Sequence, residues 1–162
     1  MKKFELTNEF ITNMFGTKLF RIRALVEFGD VEAGELGGYV EKESNLGHDD
    51  NAWVYDNAWV YGNAQVSGDA RVCGDARVCG NGDYAYAHGF GSVNRTTTFF
   101  RLKDGGVGVR CGCFYGTLAQ FRDKIRETHG ESAIAEEYLD LAALMEKRFR
   151  RTGNEQKTEE ES

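Results

Sequence analysis

Between Asn51 and Gly80 the chain spells out one six-residue unit five times: NAWVYD, NAWVYG, NAQVSG, DARVCG, DARVCG. Valine recurs at 54, 60, 66, 72 and 78, and alanine at 52, 58, 64, 70 and 76. A period of six is too short for helical repeats and fits hexapeptide coils of β-structure. In that reading each valine points inward and each alanine fills a corner too tight for a larger side chain. The Gly/Asp–Asn/Asp step then turns the chain to its next side. Three hexads complete a coil, so residues eighteen apart stack, and stacked coils pair as in a parallel sheet. With imperfect flanks at Leu46 and "NGDYAY", the repeat makes about two coils. The ends of so short a stack need caps. Leu46 to Val54 spans eight residues rather than six, so "GHDD" carries two extra residues and is expected to bulge outward with His48.

Four regions follow. Residues 1–44 read as an N-terminal β cap. In it "KLFRIRALVEF" alternates apolar and charged residues with the period of a half-buried strand, and "GDVEAGELGGYV" reads as a glycine-punctuated hairpin. "FELTNEFITNMF" fits a strand or a short helix. Residues 45–88 hold the repeat. Residues 89–151 read as an α+β module: strand Thr96–Lys103, turn Asp104-Gly105-Gly106, strand Val107–Cys113, then helix Leu118–Thr128 opened by a Thr117/Gln120 capping box. A second helix follows Ser132 and runs to about Arg150, with Ile134, Tyr138, Leu141, Met145 and Phe149 at helical spacing. Residues 152–162 are expected as a disordered acidic tail.

Charge and cysteine usage narrow the function classes. Of the net charge of −6, half lies in the tail, where Glu155, Glu159, Glu160 and Glu161 face Lys157 alone. A body this acidic argues against duplex nucleic acid as a partner. No apolar run is long enough to span a bilayer, "MKKFELTNEF" does not read as a signal peptide, and no membrane partner is expected. Cys73, Cys79, Cys111 and Cys113 have neither the spacing of a zinc knuckle nor that of a secreted disulfide scaffold. No metal or cofactor is expected, and the cytoplasm is the default compartment.

Two surfaces attract functional readings. Flanking the hexad valines are Trp53, Tyr55, Trp59, Tyr61, Arg71 and Arg77, which set Trp53 beside Arg71 and Trp59 beside Arg77 as cation–π pairs. Such a surface reads as a stacking ladder or as an oligomer or partner interface. In the C-terminal module, Ser92, Asn94, Arg95, Thr96, Thr98 and Arg110 are expected to converge with the amides at Gly116 and Thr117. That set fits either a capped helix after a Thr-rich strand or a pocket for an anionic, nucleotide-like ligand. No phosphate-binding loop of the G-x-x-x-x-G-K-[ST] type is present.

The V-x-G-[ND]-A-x hexads resemble the left-handed β-helix of hexapeptide-repeat proteins. Together with "FGDVEAGELGGYVEKESNL" before them and "GSVNRTTTFF…GCFYGTLAQF" after them, they resemble a family of small phage-encoded hexapeptide-repeat proteins over roughly residues 18–130. The resemblance implies a mainly β fold: a short left-handed β-helix of about two coils between an N-terminal β cap and a C-terminal α+β module. It favours a trimer and places the protein in the cytoplasm of an infected bacterial host. The expected function is that of a non-enzymatic phage accessory protein that binds a ligand, in its most concrete form sequestering a nucleotide-derived defence signal. A small hexapeptide acyltransferase is the alternative from another class and would need His48 as general base. A structural or assembly module acting through protein contacts is the third.

Overall fold

The computed structural model describes residues 2–91 and 95–161, with side chains to residue 153. The chain divides into two compact units, Met1–Asn81 and Gly82–Ser162. The expected cap and the hexads therefore fold as one body.

In the first unit, β1 (Phe4–Thr12), β2 (Lys18–Ala24) and β3 (Leu36–Val40) form an antiparallel meander. The hexads contribute four strands of two residues each: β4 (Trp53–Val54), β5 (Trp59–Val60), β6 (Arg71–Val72) and β7 (Arg77–Val78). Their pairings are parallel and eighteen residues apart, Trp53 with Arg71 and Trp59 with Arg77. The preceding layer is twenty apart, Tyr39 with Trp59, which accounts for the two extra residues before Asn51. Each hexad's strand is short because its remaining residues make a turn. Asp56, Gly62, Gly68 and Gly74 all have φ between 56° and 70°, and the alanine two residues on donates its amide back across the turn. All five hexad valines and all five alanines are buried.

These pairings correct the expected class. The fold is α+β, not mainly β around a left-handed β-helix. The hexad strands are divided between a mixed five-stranded sheet, β1-β2-β3-β5-β7, and a separate pair, β4-β6, and no sheet closes among the described residues. The Gly37-Gly38 pair explains how the meander joins the repeat. A side-chain carbon at Gly37 would lie 2.6 Å from the Val54 carbonyl oxygen, and one at Gly38 equally close to that of Ala58. Only glycine lets β3 approach the hexad corners so closely and pair with β5.

The second unit is a four-stranded antiparallel sheet, in spatial order β11-β10-β9-β8, covered on one face by two helices. Its elements are β8 (Tyr84–His88), β9 (Thr96–Arg101), β10 (Val107–Cys111), β11 (Phe114–Thr117), α1 (Leu118–His129) and α2 (Ala133–Glu161). "NGDYAY" is not a sixth hexad: Tyr84 and Ala85 open β8, which pairs with β9. Thr117 caps α1 with the expected box, its hydroxyl accepting from the Gln120 amide. The backbone of α2 continues through residues 152–161, where the sequence predicts a disordered acidic tail. No helix of the described residues is long and apolar enough to cross a membrane.

Strand alternation assigns the two faces of this sheet. Ala85, Ala87, Phe99, Val107, Val109, Cys111 and Phe114 pack against Leu118, Phe121, Ile125, Tyr138 and Phe149 of the helices. Tyr84, Tyr86, His88, Thr96, Thr98, Phe100, Arg110 and Tyr115 therefore belong to the opposite face.

Candidate functional site

The helix-covered face ends in a small cavity. Gly112, between β10 and β11, has φ of 60°, and a side-chain carbon there would lie 2.8 Å from Arg95 Nη1. Glycine therefore serves both the turn and the guanidinium that rests across it. The cavity has a volume of about 130 Å³. Its walls are Phe114, Phe121, Ile125 and Tyr138 with the thiols of Cys111 and Cys113, and its rim carries Arg95, Lys124, Thr128 and His129. Lys124 and Thr128 share a face of α1 through their i, i+4 spacing. The His129 ring stacks on Tyr138 with centroids 5.9 Å apart. No carboxylate lines the cavity among its described residues. Apolar walls under a rim that carries Arg95 and Lys124 suit a ligand with a planar apolar body and a negative group.

Among the described residues of the set expected to converge, only Arg95 reaches this cavity. Ser92 and Asn94 lie outside the described residues. Thr96, Thr98 and Arg110 sit on the opposite face of the sheet, with Thr96 Oγ1 2.9 Å from His88 Nδ1 and Thr98 opposite Arg110 in register. The amide of Thr117 donates to Gln120 Oε1 at 2.9 Å, and a side chain on Gly116 would collide with that same Gln120 oxygen. The capping box thus occupies the Thr117 amide that the anion reading needed. Lys124 and His129 of α1 and Tyr138 of α2 escaped the sequence reading because the two helices and Arg95 meet only in the folded unit. Helical spacing places Lys124 beside Phe121 and Ile125, but it does not show that Arg95 lies opposite.

The interface expectation divides. Trp53 is 1 % exposed, edge-on to Phe4 and Phe28, and belongs to the core rather than the surface. Arg71 pairs with Asp30 at 3.3 Å, and Tyr55 donates its hydroxyl to the same carboxylate. Trp59 does stack under Arg77, whose guanidinium carbon lies 3.7 Å from the ring centroid, with Tyr61 edge-on to the same indole. Burial lowers the Arg77 pKa from its usual value. A cross-strand row Arg21–Tyr39–Trp59–Arg77 results, with a cation–π contact at each end.

His48 is a structural residue. Its ring lies flat on Phe4 at 4.3 Å, and Nδ1 accepts the Lys3 amide at 3.1 Å. It is half-buried rather than displayed on an outward loop. With Nδ1 accepting, the neutral ring carries its proton on Nε2, leaving no free lone pair for a general base. Beside it, buried Lys3 fixes the inserted residues: Nζ donates to the carbonyls of Asp50 and Ala52 and pairs with Asp50 Oδ1 at 3.2 Å. Burial, opposed by Asp50, lowers the Lys3 pKa. The four cysteines are free thiols, and no cluster of three or more metal-ligating side chains occurs among the described residues. No protein-family model matches the chain, and no curated protein matches it.

Proposed function

We propose that the protein is a non-enzymatic binding protein for a small anion that carries a planar ring, with a nucleotide-derived defence signal as its most concrete ligand. The cavity under Arg95, Lys124 and His129 carries this reading: aromatic walls take the ring, and the Arg95 and Lys124 cations at the rim take the negative charge. An apolar protein cavity of about 150 Å³ holds a benzene molecule. The present cavity is of that scale, so it takes a single ring, and the charged remainder of a nucleotide lies at the rim. The phage context, the host cytoplasm and a homo-oligomeric state rest on the resemblance of the hexads and their flanks. The Lys3 amide donates to His48 Nδ1, which counts against His48 as the base of an acyl transfer.

The test is calorimetric titration of the purified protein with purine and pyrimidine nucleoside monophosphates, a cyclic dinucleotide and benzoate, repeated on an Arg95→Ala/Lys124→Ala variant. At least one ring-bearing anion is expected to bind the native chain, and the double substitution should weaken it by about tenfold or more, as loss of charge-assisted bonds implies. Failure of every ligand to bind, or binding indifferent to the substitution, removes the reading. One observation favours protein contact as a second reading. At the β1–β2 tip, Met14 and Phe15 are 90 % and 84 % exposed on a turn fixed by bonds from the Phe15 and Thr17 amides to Asn13 Oδ1. If that tip is the functional surface, Met14→Ser/Phe15→Ser will abolish partner capture and leave ligand titrations unchanged.

A further inference from the structure

We infer that the helix-free face of the second unit's sheet is a binding platform for single-stranded nucleic acid, a site separate from the cavity. One cross-strand row carries the inference. Tyr86 of β8 faces Thr98 of β9, Thr98 faces Arg110 of β10, and Arg110 faces Tyr115 of β11. The two tyrosines remain 40 % and 45 % exposed, while Thr98 between them is fully buried. At a strand spacing of about 4.8 Å, the rings flank the guanidinium across about 14 Å. Tyr115 stacks nearly parallel on Phe100, with centroids 6.2 Å apart and planes 12° apart. The buried Phe100 ring thus flanks Tyr115 in a parallel, offset orientation, and the exposure of Tyr115 is what a base would cover.

Phe100 is positioned by a second row. Tyr84 faces Phe100, and Phe100 faces Gly108. A side-chain carbon on Gly108 would lie 2.5 Å from the Phe100 ring, so glycine is what lets that ring lie flat over β10. Along β8, Tyr84, Tyr86 and His88 project to this same face at about 7 Å intervals, the step between alternate residues of a strand.

Exposed rings on a sheet, flanked by buried aromatic side chains and interleaved with a guanidinium, accept bases by stacking and phosphate by charge. Stacking requires bases with open faces, which a single strand offers and a duplex does not. The positive charge this demands comes on this face from Arg110. The second unit as a whole is near neutral, with twelve Lys and Arg against thirteen Asp and Glu over residues 82–162, and the first unit carries most of the net charge of −6 that argues against duplex binding.

The experiment is fluorescence anisotropy of the full chain with labelled oligo(dT) and oligo(U) of equal length, and with a duplex of that length, across a salt series. Single strands should bind and the duplex should bind more weakly. Tyr86→Ala and Tyr115→Ala should each weaken single-strand binding by roughly fivefold or more, with Tyr86→Phe and Tyr115→Phe retaining it. Arg110→Ala should weaken binding and reduce its salt dependence. Circular dichroism of each variant separates lost binding from lost fold, and the phenylalanine variants keep the test decisive if an alanine variant unfolds. Absence of single-strand binding overturns the inference. So does binding that survives both alanine substitutions in folded protein, or binding abolished by Arg95→Ala/Lys124→Ala alone, which would place the nucleic acid at the cavity.

Discussion

The two units reach a buried core by opposite routes. The first, in its hexads, uses small repeated side chains, five valines and five alanines, all buried at a fixed interval, with the Trp53–Phe4–Phe28 cluster beside them. The second uses a few large, unlike ones. Phe121 alone lies edge-on to Phe99 and Tyr138 and tilted against Phe114. Polar support differs in the same way. Between hexad layers, Asp50 accepts the Gly68 amide and Asp56 accepts the Gly74 amide, each eighteen residues on. In the second unit a single residue, Arg101, donates to the Phe149 carbonyl and to Thr152, and pairs with buried Asp83. A repetitive core spreads its stability over equivalent positions, whereas an aperiodic one concentrates it. The aperiodic unit is also where the cavity and the tyrosine-lined sheet face arise, because a site needs side chains that differ from their neighbours.

The contrast is broken most severely at Phe121. Phe121→Ala is expected to cost the second unit about 3–5 kcal/mol, against about 2 kcal/mol in the first unit for Val72→Ala, which deletes two methyl groups. Urea unfolding of both variants measures the difference; equal losses would mean that the valine column is as concentrated as the aromatic cluster.

Lys3 is the exception within the repetitive unit, a single side chain that holds the inserted residues. Lys3→Met should cost about 3 kcal/mol, because it takes the cation from Asp50 and its donated bonds from the Asp50 and Ala52 carbonyls. Burial lowers the folded pKa below the ordinary 10.5. Between the folded value and 10.5 the unfolded chain holds a proton that the folded chain has released, so stability from this group rises with pH across that window and is level below it. The gap in unfolding free energy between the native chain and Lys3→Met should therefore widen as pH approaches 10.5. A gap that narrows would show that Asp50 outweighs burial.

The smallest effect is expected at Asp56, which holds φ of 56° where the equivalent later positions are glycine. Asp56→Gly relieves left-handed strain of about 1 kcal/mol and removes a hydrogen bond of similar worth to Gly74. The net change in melting temperature should be close to zero, and lower stability for Asp56→Gly than for Asp56→Asn would isolate the side-chain hydrogen bond to the Gly74 amide.

How much of this was readable in the sequence follows the same division. Period six fixes which residues of the hexads are buried and which of them pair, and Leu46 to Val54 announces the two-residue insertion. It does not reveal that positive-φ turns limit each strand to two residues. Nor does it reveal that Gly37-Gly38 recruits β3, and those two facts decide the fold class. The Thr117/Gln120 box was readable because capping is local. Arg95 and Arg110 looked like partners because both lie near Thr-rich strand ends, yet alternation puts them on opposite faces, a parity set by where β9 begins. Trp53 looked exposed because its hexad position is shared with Trp59; the Phe4 and Phe28 rings that cover it come from outside the repeat.

Pairing at a fixed interval of eighteen also restricts how this part of the gene can change length. An insertion or deletion of one hexad would slide every later strand by a third of a layer: valine would still meet valine, because eighteen is three sixes, but each strand would face a different hexad. A change of three hexads restores each strand to an equivalent partner. Growth of the repeat is thus quantised, and duplications of whole layers are the ones that leave the register intact. The residues between Gly47 and Asn51 are where a length change outside that rule has been absorbed, held in place by one buried lysine.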